Sequence, residues 1–224
     1  MKVNTFAVEE WMNTWESQAR YNLSETCVDP LTLQELVQLG DSTVEDFFSG
    51  QGNVKLTYGH ILGSDEFKRV ISRLYTDSVT PDNILITNGA IAGNFLEMYS
   101  LIEPGDHVVA VHPTYQQLYD VPASLGATVD LLRLRPETNF LPDLAELDRL
   151  CRSASSTTRG TKMIVINNPN NPSGSLMDKA LLTDIVSIAK KYDAYLLCDE
   201  VYRGLEQDPV HHASGFSDIP SIVQ

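Results

Sequence analysis

The stretch KMIVINNPNNPSGSLMDKALLTDIVSIAKKYDAYLLCDE, Lys162–Glu200, sets an apolar run, an amide-rich turn, a helical segment and a second apolar run in succession. KMIVI (162–166) and AYLLC (194–198) are too continuous for strands with one wet face and suit strands covered on both sides. Between them, residues 175–192 carry a helical pattern. Strand, crossover helix and strand together make the unit of a parallel sheet. The turn holds Asn167, Asn168, Asn170 and Asn171 with Pro169 and Pro172. Asn-Pro steps bias the backbone away from helix, and Ser173-Gly174 allows a sharp exit. A plain connecting turn has the same composition.

The same rhythm extends upstream. NILIT (83–87), HVVAV (107–111) and TVDLL (128–132) are further compact apolar runs. Helical segments fall at 90–101, about 114–124 and about 143–154. The expected fold is therefore α/β, a mainly parallel sheet flanked by helices, with ligands at the carboxyl ends of the strands. CRSASSTTRG, 151–160, reads as a polar surface linker. Residues 1–50 form a helical and irregular N-terminal segment, and residues 51–224 form the α/β domain. In FAVEEWMNTW, Phe6, Trp11 and Trp15 share one helical face. DPLTLQELVQLG reads as a helix capped by Thr32 and stopped at Gly40. GSDEFKRVISRLY is helical through Phe67, Val70, Ile71 and Leu74.

Composition limits the function classes. The chain has 224 residues, 42% of them hydrophobic and 21% charged, as in ordinary globular proteins. A net charge of −14 argues against nucleic acid as a partner, although backbone amides can still hold a small phosphorylated ligand. Cys27, Cys151 and Cys198 form no CxxC pair, so no zinc site or disulfide framework is signalled and a reduced, cytoplasmic setting is expected. The acidic N-terminus is no secretory signal, and no apolar run is long enough to enter a membrane as a span.

Three strand ends carry chemistry. ILITNGAIAGNF runs through Gly89 into a helix, whose unpaired N–H groups can hold an anion; a glycine for a tight turn is the plain alternative. VVAVHPTYQQLY sets Pro113 and Tyr115 beyond the next run, where an aromatic can stack on a flat ligand or pack in the core. YLLCDEVYRGL ends on Asp199, a carboxylate that costs several kcal/mol to bury unless something pairs with it. A protonated ring nitrogen is one natural partner, and Tyr202 can lie on the same side. A helix N-cap is the alternative.

In this order, TNGAIAG, NNPNNPSG and CDEVY resemble the fold-type I pyridoxal-phosphate enzymes of the class I/II aminotransferase family. Upstream, LTYGHILGSDEFKRVI is similar to that family's segment, with Tyr58, Gly63, Phe67 and Lys68 at matching places. The resemblance implies pyridoxal 5'-phosphate as cofactor and residue roles on it. Asp199 would bond the ring nitrogen, Asn171 and Tyr202 the phenolate oxygen, and Tyr115 would stack on the ring face. Gly89, Ala90 and Ile91 would offer N–H groups to the phosphate. Tyr58 would reach the phosphate of a neighbouring subunit's cofactor, which implies a homodimer. Ile91 is a departure, because the family often has a hydroxyl residue near it.

The family's Schiff-base lysine lies about 30 residues beyond the Asp-x-x-Tyr motif, whereas this sequence ends at Gln224 with no lysine after Lys191. Lys2, Lys55, Lys68, Lys162, Lys179, Lys190 and Lys191 all precede Asp199, and none is an evident substitute. The expectation is a large domain cut short before that lysine, the family's phosphate- and substrate-binding arginines and its small domain, with His211 and His212 in a solvated loop. The implied parent reaction moves an amino group between an amino acid and a 2-oxo acid, with little or no turnover by these 224 residues. Alternatives are a lyase or aminocyclopropane-carboxylate synthase-like reaction, or a non-catalytic homologue that only binds or dimerises.

Overall fold

Hydrophobic runs that need cover on both sides meet that need in a four-stranded parallel sheet. A computed structural model describes residues 1–49, 51–75, 78–157, 160–207 and 221–223. The strands are β1 (His107–His112), β2 (Thr128–Arg133), β3 (Thr161–Asn167) and β4 (Tyr195–Asp199), in spatial order β2-β1-β3-β4. The first third of the chain carries α1 (Ala7–Trp15), α2 (Leu33–Gln38), α3 (Val44–Ser49) and α4 (Asp65–Ser72). Around the sheet follow α5 (Ala90–Leu101), α6 (Gln117–Ser124), α7 (Leu144–Thr157) and α8 (Lys179–Lys191).

Alternation along the central strands feeds two cores. Val109, Val111, Ile164 and Ile166 pack with Leu147 and Cys151 of α7 and with Leu182 and Ile185 of α8. Val108, Ala110, Met163 and Val165 pack with Met98 of α5 and with Leu118 and Val121 of α6. Each fully buried aliphatic side chain contributes about 1.5–3 kcal/mol. The parallel register sets Asn167 opposite Asp199, so two polar strand ends emerge side by side. His211 and His212 lie outside the described residues. Among the described residues, all three cysteines are free, and no helix is long and apolar enough to cross a membrane.

The run at 83–87 forms no strand among the described residues. Pro81–Asn83 makes a 3-10 turn, Ile86 N–H reaches Leu62 O at 3.4 Å, and Leu85 is 58% exposed. A continuous apolar pattern specifies burial, whereas a strand exists only where a second backbone supplies the ladder. The contact at Ile86 depends on Gly63, where φ is +90° and a Cβ would lie 2.1 Å from Ile86 Cγ1.

Residues 151–157 belong to α7 and are not a linker. Cys151 and Ala154 are buried, continuing the stripe of Leu147 and Leu150, and Ser and Thr tolerate a helix when one face is packed. The N-terminal helices form as expected but bury less. Thr32 closes a capping box with Glu35. Trp11 and Trp15 of α1 remain about half exposed, as do Phe67 and Val70 of α4, while Lys68 turns inward.

The course of α7 yields a direct stability comparison. Ala154→Asp is expected to destabilise the fold by about 3 kcal/mol in urea titration, because it buries an unpaired carboxylate. Arg152→Ala on the exposed face is expected to cost less than about 1 kcal/mol. Equal tolerance of both would return this segment to a surface linker.

Candidate active site

The carboxyl end of β4 holds a carboxylate almost out of water. Asp199 is 6% exposed; its Oδ2 accepts from Asn94 Nδ2 at 2.8 Å and its Oδ1 from Val201 N–H at 3.0 Å. A carboxylate offers about four lone-pair sites, so these donors leave acceptor capacity for a further partner. Asn94 also donates to Gln117 Oε1 at 3.3 Å, and Gln117 Nε2 donates to Ile91 O at 2.7 Å. Amide side chains thus tie α5 to α6 behind the carboxylate.

The amide-rich turn serves as scaffold. Asp199 O accepts from Asn168 N–H and from Asn167 Nδ2, each at 2.9 Å. Asn167 Oδ1 accepts from Asn171 N–H at 2.6 Å. Asn168 exchanges two bonds with the Met177 backbone, and Asn170 Oδ1 accepts from Ser173 N–H and Oγ. Asn170 Nδ2 reaches Pro113 O at 3.3 Å, joining this turn to the loop after β1. The peptide bonds before Pro113, Pro169 and Pro172 are cis. Buried amides here satisfy backbone groups that no ladder reaches.

One side chain of the turn meets the site. Asn171 Nδ2 donates to Tyr202 Oη at 3.3 Å, and Thr26 Oγ1 lies 2.7 Å from the same oxygen. Together with Asp199, Asn167, Tyr115, Ala90, Ile91 and Asn94, these residues line a cleft of about 300 Å³. Glu9 and Cys27 complete its wall from the N-terminal segment, beside Val201. Tyr115 Oη donates to Glu9 Oε1 at 3.2 Å, and its ring centroid is 4.9 Å from that of Phe6. Burial, then the Glu9 carboxylate, pushes the Tyr115 phenol up to about 12, so it remains a proton donor at neutral pH.

Helix α5 begins at Gly89, where φ is +80°. The Gly89 N–H is committed to Thr87 O at 3.0 Å, and Gly89 is not among the lining residues. Ala90 and Ile91, by contrast, open the helix at the cleft with first-turn N–H groups. Of the eight residues singled out from sequence, Asp199, Tyr202, Asn171, Tyr115, Ala90 and Ile91 therefore converge. Tyr58 does not, being 100% exposed outside the cleft. None of the cleft-lining residues is a lysine. Lys162 lies over the Tyr195 ring, Lys191 pairs with Asp148, and Lys68 sits 3.8 Å from Asp65.

Asn94, Asn167, Glu9 and Thr26 were not foreseen. Asn94 left a signal, an amide within the apolar helix AIAGNFLEM, and Asn167 is the first amide of the turn. Glu9 and Thr26 left none, since only folding carries them to Tyr115 and Tyr202.

Comparisons with known proteins bear on the family and the fold. Residues 26–222 match the family model described as aminotransferase class I and II. The chain is 36% identical over 140 residues to an aspartate aminotransferase of Pyrococcus horikoshii, covering 62% of this chain and 34% of the relative. It superposes on a PLP-dependent aminotransferase from Streptococcus suis with a TM-score of 0.87 at 47% identity, covering 100% of this chain and 55% of that one. An aspartate aminotransferase from Thermus thermophilus gives 0.73 at 26% identity, covering 93% and 53%. The chain thus spans between a third and about half of the length of these proteins. By the family match across most of its residues, the chain belongs to the class I and II aminotransferases.

Proposed function

We propose that this chain forms the coenzyme-binding part of an enzyme that transfers an amino group between an amino acid and a 2-oxo acid, with pyridoxal phosphate as cofactor. The observation that carries the proposal is the buried Asp199 carboxylate, with spare acceptor capacity, in a cleft that also opens onto a helix N-terminus.

The donor set fits that cofactor at three points. A carboxylate suits a protonated ring nitrogen, the paired Asn171 and Tyr202 suit a phenolate oxygen, and the first-turn N–H groups of Ala90 and Ile91 suit a phosphate. When bound, pyridoxal phosphate supplies an electron sink for the α-carbon of the amino acid. The protein's part is orientation and charge. Asp199 would keep a proton on the ring nitrogen, and Asn94 holds Asp199 in place. Tyr202 and Asn171 would hydrogen-bond the phenolate oxygen, while Tyr115 walls the cleft.

The domain division at residue 50 and the shared-site homodimer belong to the same proposal. Tyr58 and its neighbours Leu56 and Ile61 are almost wholly exposed, which supports a role for Tyr58 towards a second subunit. The residues that would hold the cofactor do not include an imine-forming lysine among those lining the cleft, so turnover by the 224-residue chain alone is expected to be slight.

Two measurements test these statements. Equilibrium dialysis with pyridoxal phosphate is expected to detect binding that Asp199→Ala weakens by about tenfold or more. Unaltered affinity removes Asp199 from the cofactor site. Borohydride reduction of the loaded chain, followed by peptide mass analysis, is expected to find no stoichiometric pyridoxyl-lysine. A single fully labelled lysine would identify an imine-forming residue within the chain.

A further inference from the structure

The cofactor cleft is one of three cavities that share walls. A second, of about 370 Å³, shares Thr26, Asn171 and Tyr202 with it. A third, of about 350 Å³, shares Glu9, Thr26, Cys27, Tyr115 and Asn171. Charge on these walls has one sign. Glu9 and Asp199 line the cleft, Glu16 and Glu25 join Glu9 in the third cavity, and Glu206 lines the second. No lysine, arginine or histidine is among the residues lining any of the three.

Glu9 differs from an ordinary surface carboxylate because its segment is fastened to the site. Gln116 Nε2 donates to Thr5 O at 2.9 Å, Asn4 Nδ2 donates to Asp120 Oδ1 at 3.3 Å, and Phe6 packs on Tyr115. Tyr115 Oη then donates to Glu9 Oε1. Among the described residues no cation pairs with Glu9, and a carboxylate accepting one phenolic bond keeps most of its acceptor sites.

We propose that Glu9 determines substrate specificity by favouring amino acids whose side chain ends in a cation, and that this wall disfavours acidic side chains. The proposal rests on the cofactor assignment above and adds the substrate class to it. A guanidinium or ammonium gains a charge-assisted hydrogen bond at Glu9 together with the field of the neighbouring carboxylates. A side-chain carboxylate meets repulsion from Glu9 and the carboxylates beside it. This separates the chain from what the names of its aspartate aminotransferase relatives state of those proteins.

Stable conjugates made by reducing the imine of pyridoxal phosphate with an amino acid carry both parts of the ligand and require no lysine from the protein. Calorimetric titration of the chain with the L-arginine, L-norleucine and L-aspartate conjugates is expected to rank them in that order. Arginine should exceed norleucine by about fivefold, the upper range for an exposed ion pair such as Glu9 would make. Glu9→Gln is expected to bring the arginine-to-norleucine ratio, read within the variant, to about one. Asp199→Ala should weaken all three alike, which reports on the cofactor site by itself. Binding that depends on Asp199 but lacks the arginine preference, or keeps it in Glu9→Gln, overturns the specificity proposal alone. Failure of every conjugate to bind overturns the cofactor assignment and the specificity proposal with it.

Discussion

A carboxylate buried at the mouth of a parallel sheet is the constraint around which this molecule is arranged. Asp199 has no cation beside it among the described residues; two neutral donors, Asn94 Nδ2 and Val201 N–H, hold it. Neutral donors offset desolvation and leave acceptor capacity on the carboxylate, which is what the proposed cofactor would use. The same residue anchors its surroundings through its backbone, since its carbonyl takes both the Asn168 N–H and the Asn167 amide. Side chain and main chain of one residue therefore couple the cleft to the turn that walls it.

The asparagine-rich turn answers a problem of backbone satisfaction. Between β3 and α8 the chain leaves the sheet while still buried: Asn167, Asn168 and Asn170 are each at most 3% exposed. Proline supplies no N–H, and a non-repetitive backbone finds no ladder, so side-chain amides supply the missing donors and acceptors. Three of the four asparagines are committed to this internal bonding, and the fourth, Asn171, delivers its amide to Tyr202. The amide content that looks excessive in sequence is the number the geometry requires.

The N-terminal segment brings a different chemistry to the same place. It adds Glu9 and Thr26 to the two phenols of the site, through bonds spanning 106 and 176 residues. Much of its apolar surface stays exposed, including Trp11, Trp15, Phe47 and Phe48. Its attachment to the α/β body combines hydrogen bonds at Asn4, Thr5 and Glu9 with the packing of Phe6 on Tyr115. Part of the negative net charge is thus gathered at the cleft, which Glu9 and Asp199 both line.

The sequence by itself determined the alternation of strand and helix from residue 107 onward, because runs buried on both faces and helices with one apolar face carry periodicities set by local geometry. It also determined which strand ends bear polar groups, since Asp199 after YLLC and the amides after KMIVI interrupt apolar runs abruptly. Tertiary structure alone decided that 83–87 finds no ladder and that α7 extends through 151–157, because pairing and packing depend on neighbours distant in the chain. It alone decided the partners as well: Asn94 beneath Asp199, Thr26 at Tyr202, Glu9 at Tyr115, and Tyr58 left outside the cleft. A hydrogen bond between side chains a hundred residues apart leaves no periodic trace, and only the folded backbone brings its two ends within 3 Å or so of each other.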